Sequence, residues 1–464
     1  MQTGVSVSAI DELRRALSGE LVTSDDPGYD EARKVWNGDI DRRPAAVARC
    51  SSVDDVRAAL DFGRKLALPI AARSGGHSFP GLSVADGALV IDLRNMNQVR
   101  VDPDMRRATV GGGAVWAEVD AASVPRGLAV TGGHVTHTGV AGLTLGGGVG
   151  HLMRSMGLSS DSLMNAEIVT ADGRVLQASE EENPDLFWAV RGGGGNFGIA
   201  TRFEFQLHPL PPTVFGGLIF YAPDKGPELM RLYNGICKTM PDEVTTILGY
   251  LHAPPFPFVP EAVQLKPGYT VVAVCVDQAA GEKVLAPLRA FGPPLFEMLA
   301  PLPYYPVIQS LFDPAFPHGT KAYVNGHYFK EISDDLADAI HANTAKMPPG
   351  QSVTLFLQMG GAVGRVPEDK TAFGGRSAGF VSMFTGVWAE EPDRSTTVDW
   401  VRGFTRDTEK LSIGGTYVNV ARSMNEDKLK NSYGASKYEK LTRLKAKYDP
   451  DNVFRLNQNI KPSK

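Results

Sequence analysis

The sequence predicts an α+β protein in which both ends of the chain build one domain around a long insert. Three observations carry this. Strand-like runs alternate with amphipathic helical stretches through most of the 464 residues. Glycine is in excess, 50 residues or about 11% against about 7% on average, and it dominates the turns between Gly111 and Gly198. Pro209-Leu210-Pro211-Pro212 then breaks the chain, and glycine- and asparagine-rich sequence returns near the C-terminus. The implied division is residues 1–210, 211–411 and 412–464.

Taken in order, Ser52-Val53-Asp54-Asp55 opens a helix through Lys65, with Ser52 as N-cap and carboxylates in the first turn. Leu68-Pro69-Ile70-Ala71-Ala72 reads as a short strand running into glycines. Ala88 to Leu93 and Arg107 to Val110 are further strands. Ala166 to Thr170 and Arg174 to Leu176 flank Ala171-Asp172-Gly173, a hairpin signal. In the insert, Tyr269 to Val274 and Val353 to Leu357 are the clearest strands, and Asp334 to Ala345 the clearest helix. Beyond Gly415 the pattern gives a strand, a basic amphipathic helix from Ala435 to Tyr448, and a polar tail.

Hydrophobic residues make up 43% and charged residues 21%, so the chain can bury a large core. Lys and Arg number 47 against 52 Asp and Glu, and a net charge of −5 gives no electrostatic reason to bind nucleic acid or an anionic membrane. No run of 18 apolar residues is present, so no membrane span is expected. Met1 to Arg14 carries acids and no apolar stretch, hence no readable signal peptide. Cys50, Cys237 and Cys275 are too few and too scattered for a disulfide framework or a zinc cluster. A cytoplasmic location is the expectation.

Ala72-Arg73-Ser74-Gly75-Gly76-His77-Ser78 directly follows a strand. Consecutive N–H groups in such a turn converge on an anion, and glycine permits the positive φ that the turn needs. A diphosphate would suit it, with Arg73 as charge partner; an ordinary Gly-Gly turn with a surface His77 would look the same. From Gly142 to Gly150, five glycines in nine positions interleave with apolar residues. That suits backbone pressed against a flat, bulky ligand better than a mobile linker. Phe187 to Ile199 encloses a third cluster, Gly192 to Gly195. No G-x-G-x-x-G opens a helix with an acid about 20 residues on, and no G-K-[ST] occurs. Any nucleotide is therefore held by neither a Rossmann nor a P-loop scheme.

Arg73 to Ser78, Gly146-Gly147-Gly148-Val149-Gly150, Arg154 to Leu158 with Asp161, and Leu186 to Gly198 together resemble the FAD-binding domain of vanillyl-alcohol-oxidase (PCMH-type) flavoproteins. Tyr417-Val418-Asn419 and Lys447 to Ile460 resemble the C-terminal signature of the berberine-bridge-enzyme subfamily. The resemblance runs from residue 73 to 460. It implies a PCMH-type FAD-binding domain made from both termini and an α+β substrate domain whose antiparallel sheet, backed by helices, lies over the flavin. It also implies a covalent bond from His77 to the 8α-methyl of FAD, because that methyl is acidic in oxidised flavin and a neutral imidazole can add there. The subfamily's second tether, a cysteine, falls at Val135, so no cysteinyl bond is expected. Ser74, Gly75, Gly76, Ser78, Gly139, Gly142, Gly147 and Ile199 would lie against the cofactor. Thr136, Thr138 and His151 are candidate donors to flavin or ribityl oxygens, with Asn457 and Asn459 at the other edge. His134, His137 and His151 have no acidic partner and read as no metal site.

On the substrate side, alternation in Val353 to Gln358 puts Thr354, Phe356 and Gln358 on one face, the better candidate to meet a ligand. Val353, Leu355 and Leu357 take the other. Tyr328 and Lys330 share a face, as do Tyr417 and Asn419. Tyr417 matches the family's Tyr-x-Asn motif beside the flavin, and a tyrosine lowered in pKa by a neighbouring lysine would serve as the base an alcohol needs. Tyr417, Tyr328 and Gln358 are the candidate catalytic residues. Val420 replaces the family's second aromatic, which tells against plant-type alkaloid or monolignol chemistry. The expected activity is hydride transfer from a small-molecule alcohol, sugar or amine to FAD, with dioxygen reduced to H2O2. A dehydrogenase with another acceptor is the alternative, and a non-enzymatic binding protein a remote one. The oligomeric state is open.

Overall fold

The computed structural model describes residues 6–422 and 424–463. The N-terminal part holds two small sheets. The first contains β1 (Glu20–Thr23), β2 (Ala46–Arg49), β3 (Ile70–Arg73) and β4 (Leu89–Asp92) in the order β1-β2-β4-β3, with β4 parallel to both β2 and β3. Helix Val53–Lys65 connects β2 to β3, and Ser52 caps it by accepting a hydrogen bond from Asp55 N. The second sheet is antiparallel: Val99–Asp102, Arg107–Gly111, Ile199–Gln206, Leu163–Val169 and Val175–Ala178, in that spatial order. Its last two strands form the hairpin around Asp172-Gly173.

The insert builds an antiparallel sheet of eight strands. Phe296–Leu302, Val214–Tyr221, Pro267–Cys275, Val244–His252, Val353–Gln358, Phe380–Trp388 and Lys321–Asn325 lie side by side, and Tyr328–Phe329 also pairs with Phe380–Trp388. Four helices, Gly226–Cys237, Gln278–Ala290, Asp334–Thr344 and Asp393–Glu409, cover one face and bury Phe356, Phe380 and Phe384. The other face presents Ile247, Val272, Leu355, Leu357 and Val381 to Val149, Met153 and Leu158 of the glycine-rich segment. Both faces are thus dry, and every residue of Val353–Gln358 is buried.

Among the described residues no strand follows Trp388, which corrects the expectation of a strand beyond Gly415. Val418 to Val420 is a turn, because Tyr417 O accepts from Val420 N and Ala421 N instead of from a neighbouring strand. Helices Glu426–Tyr433 and Ala435–Tyr448 follow. Their Leu429, Tyr433, Leu441 and Tyr448 pack with Phe187, Phe197, Phe203 and Phe205 into the core of the second sheet, so the C-terminus returns to the N-terminal part.

Candidate functional site

A cavity of about 360 Å³ lies between the glycine loops, the large sheet and the C-terminal turn. Ser74, Gly75, Gly76, His77, Ser78, Thr138, Gly139, Gly142, Ile199, Tyr417 and Asn457 all line it, so the fold brings these distant positions together. Leu355, Met383 and Thr385 contribute from the sheet, and Phe312 and Phe316 from a loop of the insert. Among the described residues no Asp, Glu, Lys or Arg stands on its wall.

Seven expected site residues are not on that wall. Arg73 is buried, with Nη2 donating to Asp92 Oδ2 at 2.7 Å and Nη1 to Lys34 O at 3.2 Å, so its charge is spent between the ends of β3 and β4. Thr136 gives both its N–H and its hydroxyl to Asp313, at 2.8 and 2.5 Å. Gly147 packs on the Phe373 ring. His151 is buried and stacked on Phe312, and Asn459 keeps an unpartnered Oδ1. Tyr328 donates to Gly374 O at 2.9 Å inside the core. Gln358 lies on the helix side, where its Oε1 accepts from Thr246 Oγ1 at 2.7 Å. The face expected to meet a ligand is therefore the wrong one: Leu355, not Phe356 or Gln358, reaches the cavity. Alternation fixes which residues share a face, but with both faces buried it does not say which one meets the ligand.

Tyr417 is 1% exposed and its hydroxyl oxygen accepts from Gly148 N at 3.0 Å and Asn419 Nδ2 at 2.8 Å. Burial pushes this phenol up to about 12 against the pull of those donors. No lysine lowers it; Lys330 instead reaches Ser377 O at the surface. Tyr417 is thus a protonated hydroxyl with its own hydrogen free to donate.

His77 stacks on Trp36 with ring centroids 5.1 Å apart, and its Nε2 lies 2.6 Å from His137 Nδ1. Burial, reinforced by His137 and His318, holds its pKa well below the usual imidazole range, so it is neutral. The ligand nitrogens of His77, His137 and His318 all lie within 4.8 Å of one another. A tetrahedral zinc ion with bonds near 2.05 Å needs its nitrogens about 3.3 Å apart, so the His77–His137 separation is that of a hydrogen bond. Trp36 and His318 escaped the sequence reading because both stand far from any glycine cluster.

The wall fits a broad, flat, polar-edged ligand. Gly75 and Gly139 pack backbone to backbone, and a Cβ on Gly142 or Gly195 would meet only open space. Ser74 Oγ, His134 Nε2 and Asn457 Oδ1 are buried on the wall without a partner. With no cationic side chain among the described residues of the wall, N–H groups and hydroxyls of the first loop are what remains for a diphosphate.

Such a cavity, walled by glycine loops and covered by a helix-backed antiparallel sheet, defines a flavoprotein of the PCMH type. Residues 44–179 match the family described as FAD binding domain, and residues 416–461 that described as berberine and berberine like. (R)-6-hydroxynicotine oxidase of Paenarthrobacter nicotinovorans is 31% identical over 460 residues, covering 96% of this chain and 97% of that protein. The solved structure of 6-hydroxy-D-nicotine oxidase from Arthrobacter nicotinovorans superposes with a TM-score of 0.87 at 28% identity, over 96% of this chain and 98% of that one. Glucooligosaccharide oxidase from Acremonium strictum, described with 6-S-cysteinyl, 8α-N1-histidyl FAD, gives 0.85 at 26% identity over 98% and 99%. The chain belongs to the FAD-linked oxidoreductases with a berberine-bridge-like C-terminal segment. It is an enzyme and binds FAD. Among the described residues no helix is long and apolar enough to cross a membrane.

Proposed function

We propose that this enzyme is an oxidase that holds FAD by one covalent bond, from His77, and oxidises a small uncharged amine, with dioxygen reduced to H2O2. The uncharged cavity wall carries the reading: among the described residues nothing on it compensates a charged substrate, and its titratable groups are the raised phenols of Tyr417 and Tyr433 and neutral histidines. FAD, when bound, supplies the hydride acceptor and hands its electrons to dioxygen. Residues 1–210 with 412–464 serve as the FAD-binding domain and 211–411 as the substrate domain.

The hydroxyl of Tyr417 donates a hydrogen bond to a polar atom of the substrate other than the reacting nitrogen and so orients the C–H bond to be broken. An alcohol needs a base for its proton as the hydride leaves, whereas an uncharged amine brings its own lone pair and needs none. Leu355, Met383, Phe312 and Phe316 bury the apolar body of the substrate and keep water out. Ser74 Oγ and Asn457 Oδ1, without a partner on the wall, bind FAD. The 6-hydroxynicotine oxidase among the relatives supports the amine class.

The test has two parts. Acid-precipitated protein should keep its flavin, with mass spectrometry finding FAD on the His77 peptide alone. A panel of amines, alcohols and sugars should then show bleaching by amines under nitrogen, followed by recolouring and peroxide release in air. Flavin lost entirely to the acid supernatant rules out the bond. Recolouring only with an added dye makes the enzyme a dehydrogenase, and turnover of alcohols or sugars alone removes the amine.

A further inference from the structure

We infer that His137 readies His77 for its own attachment to FAD, by accepting the Nε2 proton of His77 and leaving Nδ1 as the nucleophile. This rests on the His77 linkage proposed above. The two rings are tilted by 44° with centroids 4.7 Å apart, and the 2.6 Å between His77 Nε2 and His137 Nδ1 requires one proton and one lone pair in the bond. Of the two arrangements, only the one with the proton on His77 Nε2 leaves a lone pair on His77 Nδ1. That tautomer is the reactive one.

The neighbours hold both rings in place. Trp36 stacks on His77, and its indole N–H donates to Phe316 O at 2.9 Å. Asp313 clamps Thr136, the residue before His137, through both the main chain and the hydroxyl. His318, exposed and 4.8 Å from His137 between centroids, offers the proton a way to water. Burial holds both imidazoles below their usual range, at His137 against the opposing pull of Asp313, so both are neutral, and burial weakens His77 as a base without removing its lone pair.

In the step, one C–H bond of the 8α-methyl breaks, its proton goes to solvent, and a C–N bond forms from His77 Nδ1. The Nε2 proton passes to His137 Nδ1. The electron pair left on the flavin is taken by dioxygen, which gains two protons and leaves as H2O2. One H2O2 forms per flavin attached. His137 touches neither reacting carbon nor substrate in this scheme; it is a positioning residue and proton acceptor for His77.

The test follows attachment itself, not turnover. Apoprotein from riboflavin-limited cells is mixed with FAD in air, and acid-precipitable flavin is measured against time beside reversible FAD binding. His137→Ala should bind FAD as the wild type does yet attach it about 100-fold more slowly, the low end for loss of a positioned proton acceptor. Added imidazole should restore much of the rate, and His137→Asn, which keeps an acceptor where Nδ1 stood, should fall between alanine and wild type. Wild-type rates in either variant overturn the inference, as does a slow His137→Ala that neither imidazole nor His137→Asn improves, since that is a packing defect. If His137→Ala does not fold, the His137→Asn rate decides. A wild type that never acquires acid-stable flavin instead refutes the His77 linkage, a result distinct from all of these.

Discussion

Gly75 and Gly139 touch main chain to main chain: a Cβ on Gly75 would stand 2.7 Å from Gly139 Cα, and one on Gly139 2.9 Å from Gly75 Cα. This contact seats the His77 loop against the segment that carries Val135 and His137. Neither partner is the end of a flexible side chain, so neither can yield cheaply.

Gly139→Ala should therefore separate the two segments, at a cost of about 1–3 kcal/mol typical of overpacking. The expected readouts are a lower melting temperature and less flavin absorbance per protein, with excess FAD recovering only part of the loss. A variant with wild-type stability and full flavin would show that the loops do not depend on this contact.

Asp92 makes a buried ion pair with Arg73, both side chains 1% exposed, and also holds Arg94 at 2.8 Å. Burial pushes the Asp92 carboxyl up, but the two guanidiniums outweigh it and hold it below the usual range. A depressed carboxylate stabilises the fold fully above its unfolded pKa and loses that contribution as pH falls through the folded value. Asp92→Asn leaves a buried guanidinium without its counter-charge, at about 3–5 kcal/mol. Thermal melts should show the full deficit at pH 7 and a shrinking one below about pH 4, where the wild type loses the same charge. An equal deficit at both would mean that the charge is not what matters.

The elements with local signals were legible. Ser52 and its two aspartates announced helix Val53–Lys65, and Asp172-Gly173 announced its hairpin. The glycine clusters located the cavity because close backbone approach leaves a mark in composition. What escaped was settled by distant chain. Arg73 looked free for a phosphate because nothing nearby in sequence says that β4 ends on Asp92 beside it. The cavity face of Val353–Gln358 was invisible because helices cover one side and the glycine-rich segment the other, both apolar. Tyr417 was found by motif, but its raised pKa comes from burial and not from any residue near it in sequence.

Tyr417→Phe tests the donor role. Flavin content should be unchanged, because the hydroxyl only accepts from Gly148 and Asn419. Turnover of the amine should fall about 100-fold, as for loss of a group that positions the substrate. With its pKa near 12, Tyr417 should give the wild-type pH–rate profile no limb through the neutral range. A limb near neutrality that disappears in Tyr417→Phe would restore the base.

Val135 lines the cavity two residues before His137, where the berberine-bridge pattern has its second, cysteinyl tether. Replacing it with cysteine puts a thiol of similar bulk in place of one methyl and removes the other, a change that a core tolerates for under about 1.5 kcal/mol. The thiolate is the reactive form, and its unperturbed pKa of about 8.5 leaves enough of it at mildly alkaline pH to add to the flavin, with dioxygen again taking the two electrons. Val135→Cys, incubated with FAD in air at that pH, should carry flavin bound to both the His77 and the residue-135 peptides after digestion. His77→Ala alone should release all its FAD in acid, while His77→Ala with Val135→Cys should retain it. If the double variant releases its flavin as completely as His77→Ala does, residue 135 does not reach the ring, and the single tether of the natural protein follows from geometry and not from the missing sulfur.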